Sequence, residues 1–175
     1  MINLTKKSRE IFHKIHLKQK GCEAATDRAV NHIDTDYLRL DKNFFVGKKC
    51  VDLGCGSAAV GTVNMLNMNA DFVYLSDADD SFFESAKEVL NSNKNFNGKW
   101  QANIADATHR LPYEDQSIDF ALAKGFLHHL EDEQNVLSEI HRILKPNGKA
   151  YVDFNGSGGL INNFVMKTMR EEYKK

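Results

Sequence analysis

The chain has 175 residues, a net charge of −1 and 42% hydrophobic residues, which is ordinary for one globular domain with a real core. A charge so close to zero excludes binding to nucleic acid or anionic lipid through overall charge alone. No stretch approaches the roughly 20 apolar residues of a membrane-spanning helix. The N-terminus MINLTKKSRE also lacks the apolar run of a signal peptide, so we expect a soluble, cytoplasmic protein.

The N-terminal residues concentrate positive charge. Residues 1–20 hold six basic side chains against Glu10 alone, with apolar residues at helical spacings, which predicts a basic amphipathic helix. A second helix is predicted at about residues 23–40. We assign residues 1–42 to an N-terminal helical segment that acts as a lid or packing element. The alternative is a surface that contacts RNA or membrane.

From Lys49 onward, short apolar strands alternate with helices. The predicted strands are Lys49–Leu53, Asp71–Ser76, Lys99–Ile104, Ile118–Ala123 and Lys149–Phe154. The predicted helices are Thr62–Asn67, Asp80–Asn91, Asp132–Leu144 and Leu160–Tyr173, with a turn at Lys145–Gly148. This alternation indicates βαβ units and an α/β, doubly wound, mostly parallel sheet with helices on both faces. Ligands in such sheets bind beyond the carboxyl ends of the strands.

The first strand runs into a glycine-rich turn, Asp52-Leu53-Gly54-Cys55-Gly56. Glycines allow a tight turn and a close approach of backbone to ligand, and the helix that follows offers free N–H groups. The spacing of Gly54, Gly56 and Ala59 also fits a dinucleotide fingerprint. A nicotinamide dehydrogenase therefore remains open on this motif alone.

An acidic residue, Asp77, follows the second strand. At this place a carboxylate can accept hydrogen bonds from both hydroxyls of a ribose, which suits either kind of cofactor. Asp79 lies two residues past the strand and is better explained as the cap of the helix near Ser81.

Later motifs decide between the cofactors. They are NIADA at 103–107, LPY at 111–113, SIDF at 117–120, KGFLHHL at 124–130 and LKPNG at 144–148. Together with the glycine turn and Asp77, this ordered set resembles the class I S-adenosylmethionine-dependent methyltransferases of small molecules, including those of quinone biosynthesis. The resemblance covers about residues 48–155. It implies a Rossmann-like core at residues 43–175 with S-adenosylmethionine as cofactor.

The resemblance also implies which residues bind the cofactor. They are Asp52, Gly54, Cys55, Gly56, Asp77, Ala78, Asp106, Ala107 and Lys124. Asp52 would lie near the methionine amino group, Asp77 would hold the ribose diol, and Asp106 would accept from the adenine amine. The family's frequent third glycine is Ala58 here.

Catalytic residues are harder to assign. Methyl transfer from a sulfonium needs chiefly alignment, and a base only when the acceptor is protonated. The catalytic residue is therefore unknown, with Lys124, His128 and His129 as candidates. No Cys or His spacing predicts a metal site, and Cys22, Cys50 and Cys55 are expected as reduced thiols.

The fourth strand is followed by Lys124-Gly125-Phe126. It lacks the Asn/Asp-Pro-Pro-Tyr sequence with which methyltransferases of adenine or glutamine grip a planar amine. We therefore expect transfer to an O or C atom of a small molecule, and no DNA partner.

The family usually adds a sixth and a seventh strand, and the sequence ends about twenty residues after the predicted fifth strand. We expect the last two strands to be lacking, the core to be C-terminally incomplete, and the fifth strand to form an exposed edge. The final helix, a partner chain or a homo-oligomer would cover that edge. The alternative function is an inactive, cofactor-binding methyltransferase-like subunit that acts with a partner.

Overall fold

The computed structural model describes residues 14, 33–127, 130 and 133–153. Their strands form one parallel sheet in the order β3-β2-β1-β4-β5. The strands are β1 (Lys49–Leu53), β2 (Phe72–Asp77), β3 (Trp100–Ile104), β4 (Ile118–Ala123) and β5 (Leu144–Val152). The helices are α1 (Val60–Asn67), α2 (Phe82–Asn91) and α3 (Glu133–Ile143), with a short 3₁₀ helix at Lys94–Phe96.

The direction of winding reverses next to β1. From β1 the chain moves outward to β2 and β3, and then returns to place β4 and β5 on the other side. In the register, Leu53 pairs with both Ser76 of β2 and Ala123 of β4. The carboxyl ends of three strands therefore lie side by side at the switch point, where such sheets bind ligands. The predicted doubly wound α/β fold is confirmed.

Two apolar cores cover the two faces of the sheet. One core joins Cys50 and Leu75 to buried residues of α1 and α2, and the other joins Val51 and Leu53 to buried residues of α3. Since side chains of a strand alternate between faces, Asp52 points to the same face as Cys50, the face that α1 covers. Helices thus lie on both faces, as predicted.

Most predicted elements agree with the structure. β1 and β4 have the predicted bounds, and the predicted elements between them and up to residue 144 begin and end within two residues of the observed bounds. The core side of α2 consists of Phe82, Phe83, Ala86 and Leu90, which are buried. The predicted β5 is wrong at its start. The strand begins at Leu144, which pairs with Ile118, and the Lys145–Gly148 turn is an irregularity inside it, with a positive φ of 66° at Asn147.

The segment at residues 33–48 packs on the α1 and α2 face. Phe45 is fully buried, and its ring lies 5.0 Å from that of Phe120 in edge-to-face contact. The predicted helix does not extend through residues 33–40, which form turns. Asp34 accepts a hydrogen bond from the Tyr37 N–H at 2.7 Å. The turn that follows ends at Arg39, which has a positive φ of 55°. This packing role of Phe45 was not predicted from the sequence.

Other predictions fall on residues that the structure does not describe. These are the basic helix at 1–20 apart from residue 14, most of the predicted helix at 23–40, the helix at 160–173, and His128 and His129. Within the described residues, no helix is both long and apolar enough to cross a membrane.

Replacing Gly61 with Ala should destabilise the protein. An added Cβ would overlap Leu122 Cδ2 and lie 2.7 Å from the Asp52 carboxylate oxygens. Alanine normally stabilises a helix by about 1 kcal/mol over glycine, but overpacking here should lower the free energy of unfolding by about 1–3 kcal/mol. Urea denaturation measures the change, with exposed Lys87→Ala in α2 as the control. A Gly61→Ala protein as stable as the wild type would contradict this packing.

Candidate functional site

The glycine turn after β1 is bonded to the end of β2. The N–H groups of Gly54 and Cys55 donate to the Ser76 carbonyl at 2.8 and 3.1 Å. Gly54 and Gly56 have φ values of 70° and 59°, which side chains disfavour. A Cβ on Gly54 would also lie 2.7 Å from the Phe126 ring. Glycine is therefore required at position 54 by backbone conformation and by space.

Asp77 is fixed against this turn. One carboxylate oxygen accepts the Gly56 N–H at 3.0 Å and the other accepts the Asp79 N–H at 3.0 Å. Burial raises the pKa of Asp77, because these donors offset only part of the desolvation. Each oxygen has two lone pairs, so the carboxylate retains acceptor capacity for a ligand. Ala78 follows it, half-buried.

Asp52 is buried beneath α1. Its Oδ2 accepts the Thr62 N–H at 2.7 Å and the Thr62 hydroxyl at 2.9 Å. Burial raises its pKa from 3.8 to about 6, with a further contribution from the negative charge of Asp77. Cys55 lies between the two carboxylates in the chain, and burial raises the pKa of its thiol, which keeps it neutral. The bottom of the site therefore holds desolvated acidic groups.

The end of β3 adds an apolar surface next to Asp77. Ile104 pairs with Asp77 in the register and is 64% exposed, although exposed isoleucines are uncommon. The Ala105 N–H donates to the Asp77 carbonyl at 2.9 Å. Asp106 accepts from the Thr108 N–H at 3.0 Å and the Thr108 hydroxyl at 2.7 Å. Ala107 is half-buried.

The end of β4 completes the edge. The Gly125 N–H donates to Asp153 Oδ1 at 2.6 Å, and Lys124 Nζ lies 3.9 Å from Asp153 Oδ2. Asp153, directly after β5, thereby holds the segment that carries Phe126 onto Gly54. The role of Asp153 could not be predicted from the sequence, since nothing in its spacing distinguishes it from a surface acid. The two histidine candidates lie outside the described residues.

The structure thus brings the turn residues, Asp77 and the end of β3 together, with Lys124 on the neighbouring strand end. The chemistry of these groups is compatible with an adenosyl cofactor. A carboxylate with remaining acceptor capacity suits a ribose diol, exposed Ile104 suits a flat base, and the glycine turn admits a ligand close to the backbone. In the part of the chain that the structure describes, no cluster of His, Cys, Asp or Glu could hold a metal ion.

Comparison with known proteins gives one family. The family model described as "Methyltransferase domain" matches residues 51–152. A 2-phytyl-1,4-naphtoquinone methyltransferase of Nostoc sp. is 32% identical over 132 residues, which cover 73% of this chain and 54% of that protein. Phosphoethanolamine N-methyltransferase 2 of Caenorhabditis elegans is 27% identical over 116 residues, which cover 66% and 26%. The chain spans about half, or less, of the length of these curated relatives.

A solved structure gives the same fold. It is that of a putative S-adenosylmethionine-dependent methyltransferase from Methanococcus maripaludis, and it superposes with a TM-score of 0.64 at 19% identity. The superposition covers 96% of this chain and 71% of that one.

Replacing Asp52 with Asn should make stability less dependent on pH. The folded pKa of about 6 exceeds the ordinary 3.8, so the folded state holds the proton more tightly. This contributes stability below pH 3.8 that is lost as the pH rises through about 6. The free energy of unfolding of the wild type, minus that of Asp52→Asn, should therefore fall by about 2 kcal/mol between about pH 4.5 and 7.5.

Urea denaturation at several pH values measures this difference. Asp71→Asn, at an exposed carboxylate at the opposite end of β2, is the matched control and should give a much smaller change. A difference between the wild type and Asp52→Asn that stays constant with pH would show that Asp52 is ionised at no cost.

Proposed function

Because the chain belongs to the methyltransferase-domain family of class I S-adenosylmethionine-dependent enzymes, we propose that it binds S-adenosylmethionine and transfers its methyl group to a small molecule. One observation carries the proposal: the Asp77 carboxylate is bonded to the Gly56 N–H at 3.0 Å. This bond holds a ribose-binding acid and a ligand-admitting turn next to each other at the switch point of the sheet.

Each residue at this edge has a role in the proposal. Asp77 accepts from the ribose hydroxyls, Asp106 accepts from the adenine amine, and Ile104 packs on the ring. The turn from Gly54 to Gly56 lies against the methionine part, and Asp52 supplies negative charge near its amino group. The bound cofactor would supply an activated methyl group on a sulfonium. The chain's own task is then to align the reactants and exclude water, which can contribute several kcal/mol.

The proposal also concerns the chemical identity of the methyl acceptor. Transfer to O or C is supported by the segment after β4, where no Asn/Asp-Pro-Pro-Tyr sequence occurs. The naphthoquinone named for the Nostoc relative makes a quinol the first acceptor to test. The phosphoethanolamine relative makes an aliphatic amine the second.

A second candidate is a cofactor-binding subunit that is inactive alone. It is favoured by Lys124, the one catalytic candidate within the described residues, because this lysine is paired with Asp153 rather than free. Binding without turnover by the chain alone, and turnover when a partner is added, would support this candidate over the first.

Adenosyl ligands should raise the melting temperature, and Asp77→Ala should abolish the rise. A ligand at a hundred times its dissociation constant adds about 2.7 kcal/mol of stability, which is roughly 5–10 °C for a chain of this size. Differential scanning fluorimetry with S-adenosylmethionine, S-adenosylhomocysteine and NAD measures this. Asp71→Ala, at the residue directly before the other end of β2, should respond like the wild type.

A rise with NAD alone would replace the proposal with the dehydrogenase reading of the glycine turn. A protein that responds to none of the three ligands would contradict cofactor binding by this chain.

Methyl transfer should appear in a small acceptor and not in DNA. With radiolabelled S-adenosylmethionine, we expect label in a reduced naphthoquinone and none in adenine-containing DNA, since no planar-amine motif follows β4. Phosphoethanolamine is the parallel acceptor, and Asp77→Ala is the control for background transfer. Label in DNA adenine would refute the acceptor proposal, and label in phosphoethanolamine alone would move it to aliphatic nitrogen.

A further inference from the structure

A buried tyrosine on the α3 face of the sheet joins the ends of β2 and β3 next to the proposed cofactor site. Tyr113 is 7% exposed. Its hydroxyl is hydrogen-bonded to Ser76 Oγ and accepts from Asn103 Nδ2 at 3.3 Å. Asn103 is oriented in turn by Gln101, whose side-chain amide donates to its Oδ1 at 2.9 Å. One hydroxyl therefore bridges two neighbouring strands.

The two bridged residues directly precede the site. Ser76 precedes Asp77, and Asn103 precedes Ile104. Both side chains point to the α3 face, because their neighbours Leu75 and Ala102 pack in the core on the opposite face. The bridge thus lies at the last residue pair before each strand delivers its proposed cofactor contact.

Tyr113 is itself fixed by α3. Arg142 donates to the Tyr113 carbonyl at 2.9 Å and to the Leu111 carbonyl at 3.1 Å. Glu139 accepts the Leu111 N–H at 2.8 Å and pairs with Arg142 at 2.7 Å. The Tyr113 ring also packs against Tyr74, with centroids 5.1 Å apart. The hydroxyl is therefore presented from a rigid support.

Removing the hydroxyl would leave polar groups of two strands without this partner. Ser76 is 1% exposed, so water cannot simply replace the lost bond, and a buried polar group without a partner destabilises the structure. The strands can reduce this cost by shifting relative to each other. A shift at this pair moves Asp77 and Ile104, which follow it directly.

We propose that Tyr113 is a positioning residue for the cofactor site, whose hydroxyl fixes the spacing between the ends of β2 and β3. This inference rests on the proposed function, because it assigns to Tyr113 the placement of the ribose and adenine contacts. It concerns the adenosyl part alone, so the methyl donor and its demethylated product are affected equally.

The test is Tyr113→Phe, which keeps the ring and removes the hydroxyl. By isothermal titration below the melting temperature, the dissociation constants of S-adenosylmethionine and S-adenosylhomocysteine should both rise about tenfold, consistent with one lost buried hydrogen bond. Turnover at saturating cofactor should stay within about twofold, since the reacting groups are not moved. Tyr74→Phe is the matched control, because it removes a hydroxyl from the neighbouring ring that packs on Tyr113. It should leave both dissociation constants unchanged.

Ser76→Ala is the second variant, and serves if Tyr113→Phe folds poorly. It should weaken adenosyl binding to a similar degree, and the double variant should be no weaker than the weaker single variant, because both remove the same bridge. Independent, additive effects on affinity would contradict the bridge.

The outcomes separate the two proposals. If the wild type binds both ligands and their dissociation constants are unchanged in Tyr113→Phe and Ser76→Ala, the inference is overturned and the proposed function stays intact. A rise in only one of the two adenosyl ligands' constants also overturns it. A wild-type protein that binds neither ligand overturns the proposed function and the inference together.

Discussion

The fold and the site depend on the hydrogen bonds between the glycine turn and the end of β2. Gly54 and Cys55 donate to the Ser76 carbonyl, and Gly56 donates to the Asp77 carboxylate. The first pair extends the sheet past its last residue pair, and the third bond joins backbone to the side chain that the proposal assigns to the ribose. Since the turn also starts α1, the same few bonds set the direction of the helix, the end of the strand and the place of Asp77. A site built this way cannot be altered without disturbing the sheet.

The acids at this edge are not placed for stability. Burial raises the pKa of Asp52 and of Asp77, and each lies in the negative field of a neighbouring carboxylate. Their donors in the structure are backbone N–H groups and the Thr62 hydroxyl, which lack the full charge of a cationic side chain. Desolvated carboxylates at a strand edge are what a site for hydroxyl donors and a cationic ligand requires, and such sites commonly reduce stability. The free energy that an apolar residue at position 52 would add is thus given up where the proposed ligand needs a negative charge.

Local residue patterns, such as apolar runs and glycine turns, predicted the elements that depend only on residues close in the sequence. β1 and β4 are continuous apolar runs with clear limits, and the glycine turn and Asp77 lie at strand ends, so their places at the carboxyl edge of the sheet could be predicted from the sequence. The start of β5 could not be predicted in this way. Leu144 continues the helical spacing of apolar residues in α3, and nothing in that spacing shows that Leu144 pairs with Ile118. The roles of Tyr113, Asp153 and Phe45 were missed for a related reason. Their partners lie far away in the sequence, as in the Tyr113 bond to Ser76, and a tyrosine in an LPY loop carries no sign of which strand it will reach.

Helix α3 links the stability of one half of the sheet to the geometry of the site. Its apolar residues Val136, Ile140 and Ile143 are buried in the core on one face of the sheet. Its polar residues Asn135, Glu139 and Arg142, spaced four and three apart, bind the 108–115 segment. That segment contains Tyr113 and begins two residues after Asp106, so helix packing, loop conformation and strand ends form one connected set of contacts. A shift of α3 against the sheet would therefore reach Asp77 through Tyr113 and Ser76. The effect of such a shift would not need to pass through the other residues of the proposed cofactor site, because Tyr113 and Ser76 connect α3 to the strand end from the α3 face.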